Sequence, residues 1–260
     1  MPSKLSAPST LGEDFSGNWC NQDAVASSLL ESVSLVTPLL EKFFVRSVAE
    51  AIAQLHDDEL KARCLAFIRE ESQHSRMHQQ LNARLHAYLG ERSAGMRLLE
   101  SLLNQSNRRL SLPTRLLLTT VLEHFSAIFS KTYVHLSGPL NIEYEFARNL
   151  FFMHAQEELA HCAVVFDLLS RHRKTRQIER LIMLLACAGT GVLYLGISVP
   201  WILHRKTGRR LTTTIWLLLR SLLSRQLYQQ FFAALPGLFS FVRRDFHPTD
   251  LTDLPTSAHP

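Results

Sequence analysis

The amino-acid sequence predicts an all-α protein built on a four-helix bundle, with additional apolar helices at the C-terminal end. Apolar residues recur with a period near 3.6 over several long stretches, as expected of amphipathic helices. No stretch of useful length shows the strict alternation of apolar and polar residues that indicates a strand. Two copies of Glu-x-x-His, Glu71 to His74 and Glu158 to His161, lie inside the helical stretches. Such pairs line the core of metal-binding helix bundles.

The ends of the four bundle helices follow from capping signals. Thr37 and Pro38 predict the start of the first helix, as its N-cap and first residue. Asp57 or the aspartate after it caps the second helix, which ends near Gly90. Pro113 starts the third helix. The predicted helices span residues 37–55, 58–90, 113–136 and 141–172.

The connections between these helices predict their arrangement. The first and second helices are joined by a short turn, and Ser137-Gly138-Pro139 separates the third from the fourth. Between them lies a longer polar connection with a short helical piece near 96–103. Short turn, long crossover and short turn is the order of a ferritin-like bundle. We therefore expect an N-terminal extension (1–35), the bundle (36–174), apolar and basic C-terminal helices (175–245) and a tail (246–260).

Composition narrows the class of protein. A chain of 260 residues with 46% hydrophobic and 20% charged residues is not a disordered protein. Its four cysteines have no paired metal-ligand spacing and are expected to be reduced thiols. The first fifteen residues lack the apolar segment of a secretory signal, so we expect a cytoplasmic protein. Nucleic-acid binding is not expected, because the basic residues are mixed with aliphatic runs.

Helix geometry selects ligands in the first hairpin. At 1.5 Å per residue, Glu41 lies about 21 Å before the turn, and Glu71 to His74 lie about 20 to 24 Å after it. The three side chains therefore fall at one level of the bundle. Glu50 would lie only about 7 Å from the turn and is excluded.

The second hairpin matches this level less closely. Glu123 lies about 20 Å before its break, whereas residues 157–161 lie about 22 to 29 Å after Asn141, a difference of about one turn. His154 would occupy the lower level. The predicted metal ligands are Glu41, Glu71, His74, Glu123, His154, Glu158 and His161. Glu157, His78 and His124 lie within one turn of them and are candidates for proton transfer, while Glu70 is a further group that could orient a ligand.

The donor types predict the metal. Carboxylate and imidazole ligands suit iron or manganese, and the absence of thiolate ligands disfavours a structural zinc site. We expect two metal ions per chain, with iron preferred and manganese or zinc as alternatives.

Five segments resemble a bacterial family known as predicted metal-dependent hydrolases. These are LEKFFVRSV (40–48), FIREESQHSRMHQQLN (67–82), LEHFSA (122–127), FFMHAQEELAHCAVVFDL (151–168) and DFHPTD (245–250). The chain departs from the family pattern at Leu40, Glu70 and Ser72, which stand in place of glycine, glutamine and alanine. The positions of metal-ligand type match at Glu41, Glu71, His74, His78, Glu123, His154, Glu158 and His161. The resemblance implies a metal-dependent enzyme.

The C-terminal third is apolar and basic. Residues 181–203 form an uncharged run of 23 residues, long enough to cross a bilayer. Its glycines, Pro200 and basic residues on both flanks equally suit a buried helix. A further helix is predicted at 213–241. Membrane insertion, contact with the inner face of the membrane and burial on the bundle all stay open. An apolar wall beside the metals would favour a small hydrophobic or lipid-like substrate.

Three functions are consistent with these features. The first is a di-iron oxidase or oxygenase that uses O2 on a hydrophobic substrate, preferred because a bundle rich in Glu and His matches iron. The alternative is a metal-dependent hydrolase with a metal-activated water, as the family name suggests. The third is a non-catalytic iron-binding or membrane-associated protein. The sequence leaves the oligomeric state open, with a dimer among the alternatives.

Overall fold

The computed structural model describes residues 17–135 and 141–251 and confirms the all-α class. Within these ranges the secondary structure is helical apart from one isolated bridge. The predicted break at residues 137–139 lies outside the described residues. The helices are α1 (Ala24–Ile52), α2 (Asp58–Leu89), α3 (Ala94–Arg109), α4 (Leu112–His135), α5 (Glu145–His172), α6 (Gln177–Thr207), α7 (Leu211–Leu222), α8 (Arg225–Ser240) and a short 3-10 helix (Pro248–Leu251).

Two helical hairpins form the centre of the molecule. Helices α1 and α2 pack along one another, as do α4 and α5, and α3 lies in the connection between the hairpins. Helices α2 and α5 pack antiparallel across the hairpins. Arg63 pairs with Asp167 (Nη1 to Oδ2, 2.8 Å), and fifteen residues further along α2 His78 meets His154. Each hairpin therefore contributes one helix of this central contact.

Helix α1 begins fourteen residues before the predicted start. Asp23 is its N-cap, and the side chain of Asp23 accepts a hydrogen bond from the amide of Ala26 at 2.7 Å. Thr37 and Pro38 lie inside the helix, so their prediction as a helix start was wrong. The hydroxyl of Thr37 instead donates to the carbonyl oxygen of Val33 at 2.8 Å. Residues 24–35, about a third of the predicted N-terminal extension, are thus part of α1.

The proline inside α1 is compensated by a side chain from α2. Pro38 has no N–H, so the carbonyl of Ser34 four residues earlier loses its usual helical donor. Asn82 replaces that donor, since its Nδ2 donates to the carbonyl oxygen of Ser34 at 2.8 Å. The buried backbone oxygen is therefore satisfied, and the bond fixes α2 against α1 at this level.

Helix α5 begins at Glu145, four residues after the predicted start. The residues before it are extended and pair with the chain ahead of α1. The amide of Asn21 donates to the carbonyl of Asn141, and the amide of Glu143 donates to the carbonyl of Trp19, both at 2.8 Å. This pairing joins segments that are about 120 residues apart and closes one end of the bundle.

Helix α6 packs one face on the bundle and leaves the other exposed. Tyr194 donates from Oη to the carbonyl of Ser32 at 2.6 Å, and the hydroxyls of Ser198 and Ser93 lie 2.8 Å apart. Helices α1 and α6 are both long and apolar enough to cross a membrane by length and composition alone. The most apolar part of α6 has a mean hydropathy of 2.0 and is only 22% buried. The single helix predicted at 213–241 is two helices, α7 and α8, which was a further error.

The contact between α3 and α6 should tolerate no side chain at Gly95. A Cβ there would lie 2.5 Å from Oγ of Ser198 and 3.2 Å from the carbonyl oxygen of Tyr194. We expect Gly95→Ala to lower the free energy of unfolding by about 1 to 3 kcal/mol through overpacking. Thermal unfolding of the two proteins measures this loss. Gly196→Ala is the matched control, because a Cβ at Gly196 meets no atom within 4 Å. Equal losses in both variants would show that the close approach is not the cause.

Candidate metal centre

One layer of the bundle collects the acidic and histidine side chains predicted as ligands. Helix α1 supplies Glu41, α2 supplies Glu71 and His74, α4 supplies Glu123, and α5 supplies His154, Glu158 and His161. Apart from the partly buried His154, all of them are buried. Two groups, Glu71 with His74, Glu158 and His161, and Glu41 with His74 and His154, each place one ligand-type atom per residue within 4.8 Å of the others.

The closest contacts in the layer join carboxylates to imidazoles. Nδ1 of His161 lies 2.6 Å from Oε1 of Glu71 and 3.8 Å from Oε1 of Glu158. Nε2 of His154 lies 2.5 Å from the same Glu158 oxygen and 3.9 Å from Oε1 of Glu41. Shared histidines therefore link the carboxylates of α1, α2 and α5, so that these groups form one connected cluster.

Two glutamates at the edge of the layer determine which nitrogen of two histidines faces inward. Oε2 of Glu157 lies 2.6 Å from Nε2 of His74, and Oε2 of Glu70 lies 3.1 Å from Nε2 of His161. A carboxylate accepts, so each Nε2 carries the proton and each Nδ1 of a neutral ring keeps its lone pair. The arrangement is reciprocal, because each glutamate precedes one Glu-x-x-His and binds the histidine of the other. It is the usual support of a metal-binding histidine.

A buried chain of hydrogen bonds also determines which ring nitrogen of His154 faces the layer. The hydroxyl of Ser34 donates to Oδ1 of Asn82 at 2.8 Å, so Oγ of Ser34 can only accept from Nδ1 of His78, 2.9 Å away. Burial, together with the charges of His154 and His74, lowers the pKa of His78 well below its usual range, so its ring is neutral. Its Nε2 then accepts from Nδ1 of His154 at 2.9 Å. Nε2 of His154 consequently faces the carboxylates.

The carboxylates are crowded together in a region of low dielectric constant. Burial, and then the charges of Glu158 and Glu71, raise the pKa of Glu123 well above its usual range. Glu41 is raised in the same way by burial and by Glu71 and Glu158. Although burial opposes the charged form of His161, its hydrogen bonds and charge interactions with Glu158 and Glu71 raise its pKa to about 12. Without a bound cation, the layer therefore holds protons to offset its negative charge.

The residues present fit bound divalent metal ions. Both oxygens of Glu123, Oε2 of Glu158 and Nδ1 of His74 are buried without a hydrogen-bond partner of ordinary geometry among the described residues. Such atoms are costly unless a proton or metal ion binds them. Four buried carboxylates would balance two divalent cations. Burial, and then Glu123 and Glu158, raise the pKa of Cys162 well above its usual range, so this nearby thiol is neutral and a poor ligand.

Glu50 and His124 both have partners outside the layer. Glu50, excluded from the ligand set by its height, binds Arg115 instead, with Oε1 2.7 Å from Nη2. His124 is not brought into the layer. Its Nε2 lies 3.1 Å from the backbone oxygens of both Gly237 and Leu238 in α8, and its ring packs against Phe241. A step of 100° along α4 separates its direction from that of Glu123.

Sequence reasoning did not identify Ser34 and Asn82 as part of the site. Both are buried, and they connect to the metal-type layer through His78. A signal for Asn82 was present, since it lies one helical turn after His78 on the same face. The signal for Ser34 depended on recognising that Pro38 lies within a helix.

The layer reaches the surface between α2 and α5. Glu70 and Glu157 are 38% and 46% exposed at their side chains, whereas the ligands behind them are buried. Arg69, Gln73 and Gln156 are exposed beside them. Helix α6 packs on α1, α3 and α4, and α8 packs on α4. Arg69, Gln73 and Gln156 thus make this part of the edge polar, while the apolar wall and the lipid-like substrate stay predictions.

Comparison with known proteins gives one match. The family model described as "Predicted metal-dependent hydrolase" matches residues 8–252, nearly the whole chain. No curated protein and no solved structure matches the chain.

Proposed function

The chain belongs to the predicted metal-dependent hydrolase family, and from this membership and the buried Glu/His layer we propose that it is a dinuclear metal-dependent hydrolase. One observation carries the metal part of the proposal: inward-facing, unpaired ligand atoms converge from four helices. The family favours hydrolysis over the oxygen chemistry that the sequence analysis preferred.

Each Glu-x-x-His pair belongs to one metal position in this proposal. Glu71 and His74 would hold one ion together with Glu41 from α1. Glu158 and His161 would hold the other together with Glu123 from α4, and His154, which lies near both Glu41 and Glu158, would add a nitrogen donor. When bound, divalent ions would lower the pKa of a water molecule and polarise the bond to be cleaved.

Glu157 is the residue best placed to accept a proton during hydrolysis. It is nearly half exposed at the edge of the layer, while one of its oxygens holds His74. A carboxylate at this position can receive the proton of an attacking water and pass it to the leaving group. Glu70 occupies the equivalent place beside His161 and keeps that ring oriented. The polar edge favours a substrate whose reacting group carries polar substituents, and a lipid-like remainder stays a prediction.

A second candidate function is the di-iron oxidase or oxygenase. It is favoured by the ligand set itself, which consists of hard carboxylate oxygens and imidazole nitrogens, with Cys162 held as a neutral thiol. Such a set binds Fe(II) readily, and its burial keeps water away. The same side chains serve both reactions, so the metal and its response to O2 distinguish them.

The deciding experiment compares metal content with activity. Protein purified without chelator is analysed for metals, stripped, reloaded anaerobically with Zn(II), Mn(II) or Fe(II), and tested on chromogenic esters, amides and phosphoesters. We expect metal-dependent hydrolysis. At saturating metal, Glu157→Gln should reduce it by about 100-fold or more.

The control is Glu59→Gln, which alters an exposed glutamate of the same length on α2 and should have no effect. Absence of hydrolysis with every metal, combined with O2 consumption and a new visible absorption after Fe(II) loading, would replace the hydrolase with the oxidase. Failure to bind any metal would overturn both.

A further inference from the structure

Positive charge is segregated into the C-terminal helices. Residues 180–244 contain nine Arg and Lys and no Asp or Glu. The remaining 19 Arg and Lys are outnumbered by 23 Asp and Glu. The net charge of +5 therefore arises entirely from this segment, while the rest of the chain is net acidic. The side chain of Lys206 is buried in an ion pair with Glu31, whereas Arg209 and Arg210 are exposed. Exposed arginines in a segment without acidic residues favour an anionic partner.

The same segment exposes apolar side chains in helical register. The outer face of α6 carries Ile178, Ile182, Leu185, Val192 and Leu193, all at least half exposed. The first four positions are spaced four, three and seven residues apart and form one stripe, with Leu193 at its edge. The opposite face carries Leu184, Tyr194 and Ile202, which are buried against the bundle. The stripe is therefore the exposed face of a helix whose opposite face packs on the bundle.

Helix α7 has the composition of a helix that lies in a membrane interface. It exposes Leu211, Ile215, Trp216, Leu219 and Leu222 and buries Thr214 and Leu218. The guanidinium of Arg220 lies 5.5 Å from the centre of the Trp216 ring. Arg209 and Arg210, both exposed, immediately precede the helix. Apolar side chains with Trp and flanking arginines suit the boundary between lipid headgroups and acyl chains.

We infer that α7 and the outer stripe of α6 dock the protein on the surface of an anionic phospholipid bilayer. The inference goes beyond the proposed function and does not depend on it. A second copy of the chain is a poorer occupant, because two copies would bring surfaces of the same sign together. Spanning by α6 is disfavoured by its fixed face, which is bound to α1 through Tyr194, to α3 through Ser198 and to the end of α2 through Arg205.

Vesicle co-sedimentation of the full-length protein tests the inference. Vesicles of phosphatidylcholine containing one quarter phosphatidylglycerol should bind the protein, and vesicles of phosphatidylcholine alone should bind it far less. The substitution of both Arg209 and Arg210 by Gln should weaken binding by about 10- to 30-fold, since each basic residue near the surface contributes about one tenfold step or less. The matched control replaces Arg108 and Arg109, an equally exposed pair on α3, and should bind normally.

Trp216→Ser examines the apolar contribution, with Leu65→Ser, another exposed apolar position, as its control. We expect at least a fivefold loss for the first and none for the second. Equal losses in the α3 and α7 arginine variants would overturn the inference, because binding would then reflect charge alone. A second result would also overturn the inference. If the protein bound no vesicles but self-associated, and Trp216→Ser abolished the self-association, the face would be an interface between copies.

Discussion

Replacing Glu71 by alanine should remove the metal from the protein and leave its helices in place. Glu71 is buried, and its carboxylate lies beside His161 and Glu158, at the centre of the layer. No neighbouring side chain can take over its role, because the adjacent Glu70 already binds His161 from the edge. We expect the metal content to fall from two ions per chain to one or fewer. Metal analysis after gel filtration and far-ultraviolet circular dichroism measure the two outcomes.

His161→Ala should have the same effect from the other helix. It removes a nitrogen donor, whereas Glu71→Ala removes an oxygen donor, so loss in both variants identifies a shared site. Glu59→Ala, an exposed substitution on α2, controls for a general effect of removing a carboxylate. Two ions retained in both site variants, with helicity unchanged, would show that the Glu/His layer does not hold the metal.

Glu123→Gln should change stability in opposite directions with and without metal. Glu123 is fully buried, and Glu158 and Glu71 are its main charged neighbours. In the metal-free protein a neutral amide of nearly the same shape removes the cost of protonating this buried carboxyl on folding, which we expect to stabilise the fold by roughly 1 to 3 kcal/mol. In the loaded protein the lost charge weakens metal binding. Stabilisation by a metal at about a thousand times its dissociation constant, on the order of 4 kcal/mol, should then largely disappear.

Thermal unfolding with chelator and with saturating metal provides the measurement. For the unmodified chain we expect the two melting temperatures to differ by roughly 8 to 16 °C. The variant should melt above the unmodified chain in chelator and below it in metal, so that the order reverses. A variant that melts lower under both conditions would indicate that Glu123 has an ordinary packing role. Glu59→Gln removes one charge from the first turn of α2 and should shift both temperatures equally and by at most about 4 °C, without reversing their order.

The level of the ligands could be predicted because helical rise is regular. The turn between α1 and α2 was placed correctly through the Asp57 cap, and Glu41 accordingly lies in the layer with Glu71. The difference of one turn in the second hairpin came from the start of α5. Since α5 begins at Glu145, Glu158 lies about 20 Å along it, and Glu123 lies about 18 Å before the end of α4. The discrepancy disappears.

Other features depended on contacts between distant parts of the chain. The extended residues ahead of α5 pair with residues 19–21, and no local pattern indicates such a pairing. The true start of α1 was obscured because Thr-Pro is a common helix beginning, whereas here Asn82 compensates for the proline from another helix. The separation of α7 from α8 occurs near Leu223 without a glycine or proline, so the sequence carried no break signal.

A defect in one helix thereby sets the protonation pattern of the metal centre. The N–H that α1 lacks at Pro38 is replaced by Nδ2 of Asn82, which leaves Oδ1 of Asn82 to accept from Ser34. The donors and acceptors that follow are then determined, through Ser34 and His78 to Nδ1 of His154, so that Nε2 of His154 faces Glu158. A proline that costs the helix a hydrogen bond thus gives the site a fixed polarity before any metal arrives. A residue that restored the amide at position 38 would free Asn82 to rotate and leave the direction of the hydrogen bonds through Ser34 and His78 undetermined.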